Sequence, residues 1–148
     1  MHMAKRTHYR LDLAQEQLDL ALELFLTGRS YVCALTLAGA AEEVFGQFIS
    51  SRDEQNVLQH MHSIEAPIEE MLRKETYSWK AFTREKNLIR NAAKHWSTSE
   101  GMEINADLED ESLRMLVRAC DNYARLGLPE TDRLCEFNGW FYEHIVGV

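Results

Sequence analysis

Between Leu11 and Phe25 apolar side chains recur every three or four residues, at Leu11, Ala14, Leu18, Ala21, Leu22 and Phe25. That spacing lines one face of a helix, and Gly28 follows where a C-terminal cap belongs. A helix is therefore predicted over 7–27. Ser30 can cap a second helix, in which Tyr31, Ala34, Leu35, Ala38, Ala41, Phe45 and Phe48 share one apolar face. Its middle, LAGAAEEVFG, holds Gly39, which costs about 1 kcal/mol of helix propensity relative to alanine. Close backbone packing at Gly39 is the expected compensation, and the first two helices then form an antiparallel hairpin.

The pattern continues beyond the hairpin. A third helix is expected over 53–74, capped by Asp53, with Val57, Leu58, Met61, Ile64, Ile68, Met71 and Leu72 inward and Pro67 splitting or kinking it. Ser78 can cap a fourth over 79–94 that buries Phe82, Leu88, Ile89 and Ala92 or Ala93. The stretch STSEGMEIN, 97–105, contains Gly101 and lacks periodicity, so it reads as a loop. A fifth helix over 107–126 has Leu113, Leu116, Val117, Cys120 and Tyr123 as its stripe. Its acidic start and its basic residues Arg118 and Arg125 suit the helix dipole. After Pro129, Thr131 can cap a short helix over 132–144 whose Phe137, Trp140 and Phe141 cover the core or a partner.

Alternating Val, Ile and Thr of the kind a strand needs is missing. The expected fold class is all-α: an up-and-down bundle of four or five helices with a short C-terminal helix. A chain of 148 residues, 45% hydrophobic, suits a single domain over 1–148, with its core at 7–127 and an aromatic extension at 128–148.

Composition narrows the function classes. The cysteines Cys33, Cys120 and Cys135 are odd in number and far apart, which suggests neither a disulfide framework nor a thiolate zinc site. No window approaches the roughly 18 unbroken apolar residues of a membrane span, and MHMAKRTHYR lacks the apolar region of a secretory signal. The expected location is cytoplasmic, without membrane contact. A net charge of -8 argues against unspecific coating of nucleic acid. Yet seven basic residues and two acids lie between Arg73 and His95, a net +5, and the remainder of the chain is -13. A polyanion has one place to dock.

Within that basic segment, NLIRNAAKHW gathers Arg90, Asn91, Lys94 and His95. Guanidinium grips phosphate oxygens bidentately, and imidazole, with an ordinary pKa near 6.5, exchanges protons at neutral pH. Together they are suited to phosphodiester cleavage without a metal. Five residues along an unbroken helix rotate the side chain by about 140°. Arg90 and His95 therefore cooperate only if the helix ends between them or a second chain completes the site. The plainer reading is a solvated basic helix end that complements the dipole. Glu42 and Glu43, in an otherwise apolar stretch, pose a similar choice: a carboxylate at the rim of the core, or one pairing with a cation such as Arg90. No Glu-x-x-His pair occurs, and His60 and His62 diverge around their helix, so no metal and no cofactor are expected.

The hexamer RNAAKH resembles the signature of the HEPN superfamily, in which Arg is separated from His by four to six residues, commonly with a polar residue, often Asn, after the Arg. The upstream hairpin LALELFLTGRSYVCALTLAGAAEEVFG also resembles the first two HEPN helices, and the likeness spans about 9–126. It implies a bundle that forms a homodimer through the motif helices, and in many members a metal-independent endoribonuclease of toxin-antitoxin or phage-defence systems that cleaves RNA by 2'-hydroxyl attack. Other members are non-catalytic dimerisation or interaction modules. Carried over by position, Arg90, His95 and Asn91 would be catalytic: Arg90 would orient the phosphate, His95 would act as general acid and base, and Asn91 would hydrogen-bond the site or substrate. Lys94, Lys86 and Arg84 would bind RNA, and Glu42 or Glu43 would orient Arg90. An antitoxin is then a further candidate partner.

Overall fold

The core is built where three long helices meet. In the computed structural model, which describes residues 3–147, α1 (Arg10–Leu26) and α2 (Tyr31–Ser51) form the hairpin and α6 (Leu108–Arg125) packs along α2. Between them lie α3 (Val57–Arg73), α4 (Trp79–Lys86) and α5 (Leu88–Lys94), and α7 (Asp132–Phe141) runs into a π-helical turn at Tyr142–Val146. All regular structure among the described residues is helical, an all-α bundle.

Local signals place most boundaries. Gly28 sits at φ +66°, the left-handed conformation that ends a helix at least cost for glycine. Arg29 and Gly28 donate their amides to the carbonyls of Leu24 and Phe25, closing the two orphan acceptors of the last turn. Ser30 Oγ then accepts from the Cys33 amide and opens α2. Ser78, Asp107 and Thr131 cap α4, α6 and α7 in the same way.

The third helix departs from expectation at both ends of its logic. Asp53 is not its cap: at φ +57° it is the left-handed residue that terminates α2, with Glu54 donating to the Ile49 carbonyl. Asn56 caps α3 instead, through a reciprocal pair of bonds with Gln59 that satisfies two amides at once. Pro67 lies inside α3 without dividing it. Only Val57, Leu58 and Ala66 of this helix are buried, whereas Ile64, Ile68, Met71 and Leu72, expected inward, are exposed. Beside these apolar residues the packed face carries polar groups: Glu65 pairs with Lys86, and His62 lies edge-on to Trp79 and Phe82.

The single helix expected over 79–94 is two, broken at Asn87, whose φ of -106° and ψ of 9° leave the helical region. Arg118 of α6 takes up the break. It donates Nη1 to the Lys86 carbonyl at 3.2 Å and Nη2 to Asn87 Oδ1 at 2.8 Å. The buried face of α6 accordingly carries Ser112, Arg118 and Asn122 among Met115, Leu116, Ala119 and Tyr123, while Val117 of the expected stripe is 38% exposed. Arg118 thus does more than complement a dipole.

The aromatic extension covers the core. Phe25 of α1 meets Trp140 and Phe137 edge-on, with centroids 5.0 and 6.0 Å apart, the geometry that ring quadrupoles favour. Among the described residues one helix, α2, is long and apolar enough to cross a membrane. Its apolar residues Ala34, Leu35, Ala38, Phe45 and Ile49 are instead buried in this bundle.

Candidate functional site

Glu42 projects from the middle of α2 into the place where α5 and α6 converge, and only 3% of it is exposed. A lone carboxylate there would be prohibitively desolvated. Two guanidiniums answer it. Arg118 Nη2 stands 3.1 Å from Glu42 Oε1, and Arg90 Nη1 stands 3.9 Å from Glu42 Oε2 and 3.7 Å from Glu43 Oε2. Burial pushes the Arg118 guanidinium down from its ordinary value, opposed by the charge of Glu42 and by their hydrogen bond. Arg118 Nε is buried without a partner among the described residues. Next along α6, Asn122 donates Nδ2 to the Glu42 carbonyl at 3.2 Å and accepts the Val57 amide at 2.8 Å, tying α2, α6 and the start of α3 together.

The reason for a glycine at position 39 becomes visible at this cluster. A Cβ on Gly39 would lie 2.4 Å from Cδ of Arg90, so the arginine stem crosses α2 where a side chain is missing. The close approach is by a side chain, not by a second backbone. Gly39→Ala should consequently leave stability within about 1 kcal/mol, because improved helix propensity offsets the crowding, while displacing Arg90. Urea unfolding beside a crystal structure of the variant checks both halves. An Arg90 unmoved against Glu42 and Glu43 would refute the steric account.

Arg90, Asn91 and His95 occupy a graded series of exposures. The Arg90 side chain is 13% exposed, and its Nε and Nη2 donate to Asn91 Oδ1 at 3.4 and 3.3 Å. The α5 helix ends at Lys94, and His95 is extended at φ -124° and ψ 146°, held by its amide on the Asn91 carbonyl at 2.8 Å. His95 is exposed. The helix therefore does end between the two motif residues. They nevertheless line different cavities of one chain. Arg90 faces a pocket of about 210 Å³ with Glu42, Glu43 and Asn87, whereas His95 and Asn91 line a groove of about 600 Å³ with Arg84, Leu88 and Trp96. The Trp96 indole closes one side, fixed by its Nε1 donating to the Gly101 carbonyl at 3.1 Å.

The basic residues of the segment also divide. Arg84 lines the His95 groove, and Lys94 is exposed in the last turn of α5. Lys86 turns away to Glu65 at 2.9 Å and lies over the Phe82 ring. Arg73 pairs with Glu69. Part of the charge excess is thus neutralised within the chain. His60 contacts Gln55 while His62 faces the Tyr77 carbonyl, so the two histidines diverge. No three His, Cys, Asp or Glu side chains converge among the described residues.

Sequence reasoning did not find Arg118, Asn87 or Asn122. Arg118 resembles any cation in the second half of a helix, and only its place three residues after Met115 and four before Asn122, on a buried face of α6, sets it apart. No protein-family model matches the chain, nor does any curated protein or solved structure.

Proposed function

We propose that the chain is a HEPN-like, metal-independent endoribonuclease acting as a homodimer, with His95 as general acid and base. The observation that supports this reading best is the exposed His95 at a helix break, beside Asn91 and Arg84 at the mouth of a groove wide enough for a nucleotide. In this reading Glu42, Glu43 and Gly39 hold Arg90 behind the groove, and Arg90 holds Asn91. A second chain, covering the exposed Leu88 and Trp96, brings the two motif sets together. The reaction is attack of a 2'-hydroxyl on the adjacent phosphorus with departure of the 5'-oxygen, leaving a 2',3'-cyclic phosphate. Cytoplasmic defence with a silencing antitoxin is the setting that the resemblance suggests. The purified protein in EDTA should cut single-stranded RNA and leave cyclic ends. Intact RNA at micromolar protein would refute catalysis.

A second reading draws on a different observation, the burial of Arg90 against two carboxylates. Here the chain is a non-catalytic interaction module of the same fold and Arg90 is structural. Arg90→Ala should then lower the unfolding free energy by about 1–3 kcal/mol, because Glu42 Oε2 loses its cation while Arg118 stays on Oε1, in a protein that never cleaves RNA.

A further inference from the structure

The fold sorts the seven basic side chains between Arg73 and His95 into two groups. Arg73 pairs with Glu69, Lys86 with Glu65, and Arg90 with Glu42 and Glu43. Lys74, Lys80, Arg84 and Lys94 are exposed and have no carboxylate partner among the described residues. Two of these share a line. Arg84, Leu88, Asn91, Ala92 and His95 all border the groove of about 600 Å³, so one face of α4 continues across the break at Asn87 into α5. Lys80 stands four residues before Arg84, about 40° away around the helix and about 6 Å further along it. It prolongs the line by one turn beyond the groove.

Stability does not account for a lysine at this position. Lys80 falls in the first turn of α4, where the helix dipole disfavours a cation, and no acid in that turn compensates. Phe82 forms the buried side of α4, and Trp79 and Thr83 face the pocket of Glu42 and Arg90. Lys80 belongs with Arg84 to the remaining side. Glu85, the one acid of α4, accepts a hydrogen bond from the Tyr77 hydroxyl. Glu100 and Glu103 do border the groove, but both come from the loop that forms its other wall. The helix wall is therefore positive and the loop wall negative.

We propose that Lys80 binds a phosphate of single-stranded RNA next to the one held by Arg84, so that the backbone leaves the His95 groove along α4. This rests on the ribonuclease reading. The loop carboxylates repel the backbone, which keeps it on the helix wall and turns the bases toward Glu100 and Glu103. Each phosphate that a cation neutralises releases counterions, and that release sets how steeply affinity falls with salt.

A 2'-O-methyl RNA of mixed sequence keeps the phosphates and cannot undergo 2'-hydroxyl attack. Its binding to the full chain is followed by fluorescence anisotropy as salt rises. Lys80→Gln should make the slope of log affinity against log salt shallower by about 0.7, the share of one phosphate on a single strand, and equally so for a second sequence. Lys74→Gln removes the same charge away from this line and should leave the slope unchanged. The thermal midpoint of Lys80→Gln should not fall; a fall overturns the proposal, because the lysine would then hold the helix. A slope that survives Lys80→Gln overturns the path and leaves the ribonuclease reading standing. Equal flattening by Lys74→Gln also overturns it, since charge without position would then suffice. A parent protein that binds no RNA at low salt overturns the path and that reading together.

Discussion

Arg118→Ala should destabilise the protein by about 3–5 kcal/mol, the usual consequence of removing one partner from a buried ion pair. Glu42 is 3% exposed, and its Oε1 would lose the guanidinium at 3.1 Å, leaving only Arg90 at 3.9 Å on the other oxygen. The Lys86 carbonyl and the Asn87 side chain would lose donors as well, loosening the junction of α4 and α5. Against a typical total stability of about 5–15 kcal/mol, this is a large share of what holds the fold. The paired replacement Glu42→Leu with Arg118→Met should cost far less, since nothing charged is left unanswered at that carboxylate. Urea unfolding of the single and double variants separates the cases. A loss under about 1 kcal/mol for Arg118→Ala would mean that the pair is effectively solvated.

If the chain is the ribonuclease proposed above, His95→Ala should slow RNA cleavage by about 10²- to 10⁴-fold, the range for losing a general acid or base. Because His95 is exposed and lies outside the core cluster, its removal should leave the thermal midpoint unchanged. That contrast gives the experiment its discrimination. Arg118→Ala alters activity, if at all, through unfolding, whereas His95→Ala alters it in a fully folded protein. A variant that cleaves as fast as the parent would remove His95 from the chemistry and leave the interaction module as the better reading.

The two residues also show how unevenly the site can be read from the chain. RNAAKH stands out because Arg, Asn and His are adjacent in sequence, and the helix end after Lys94 is foreshadowed by the polar loop that follows it. Arg118 is 28 residues beyond Arg90 and meets Glu42 only through the packing of α6 on α2. Nothing local announces that contact. Gly39 is an intermediate case: its cost to the helix signals a close approach, but the approaching group is an arginine stem from α5.

The sequence by itself determined the all-helical class, the hairpin, the ends marked by Gly28, Ser30, Ser78, Asp107 and Thr131, and the inward face of α1. These follow from periodicity and from backbone groups satisfied within a few residues, which are local properties. Only the tertiary structure decided which apolar stripe is covered. The apolar spacing of α3 is as regular as that of α1, yet only Val57, Leu58 and Ala66 are buried while Ile64, Ile68, Met71 and Leu72 stay uncovered, and Glu65 and His62 find Lys86, Trp79 and Phe82 on the packed side. Periodicity says that a helix has a face; what that face meets depends on residues far along the chain.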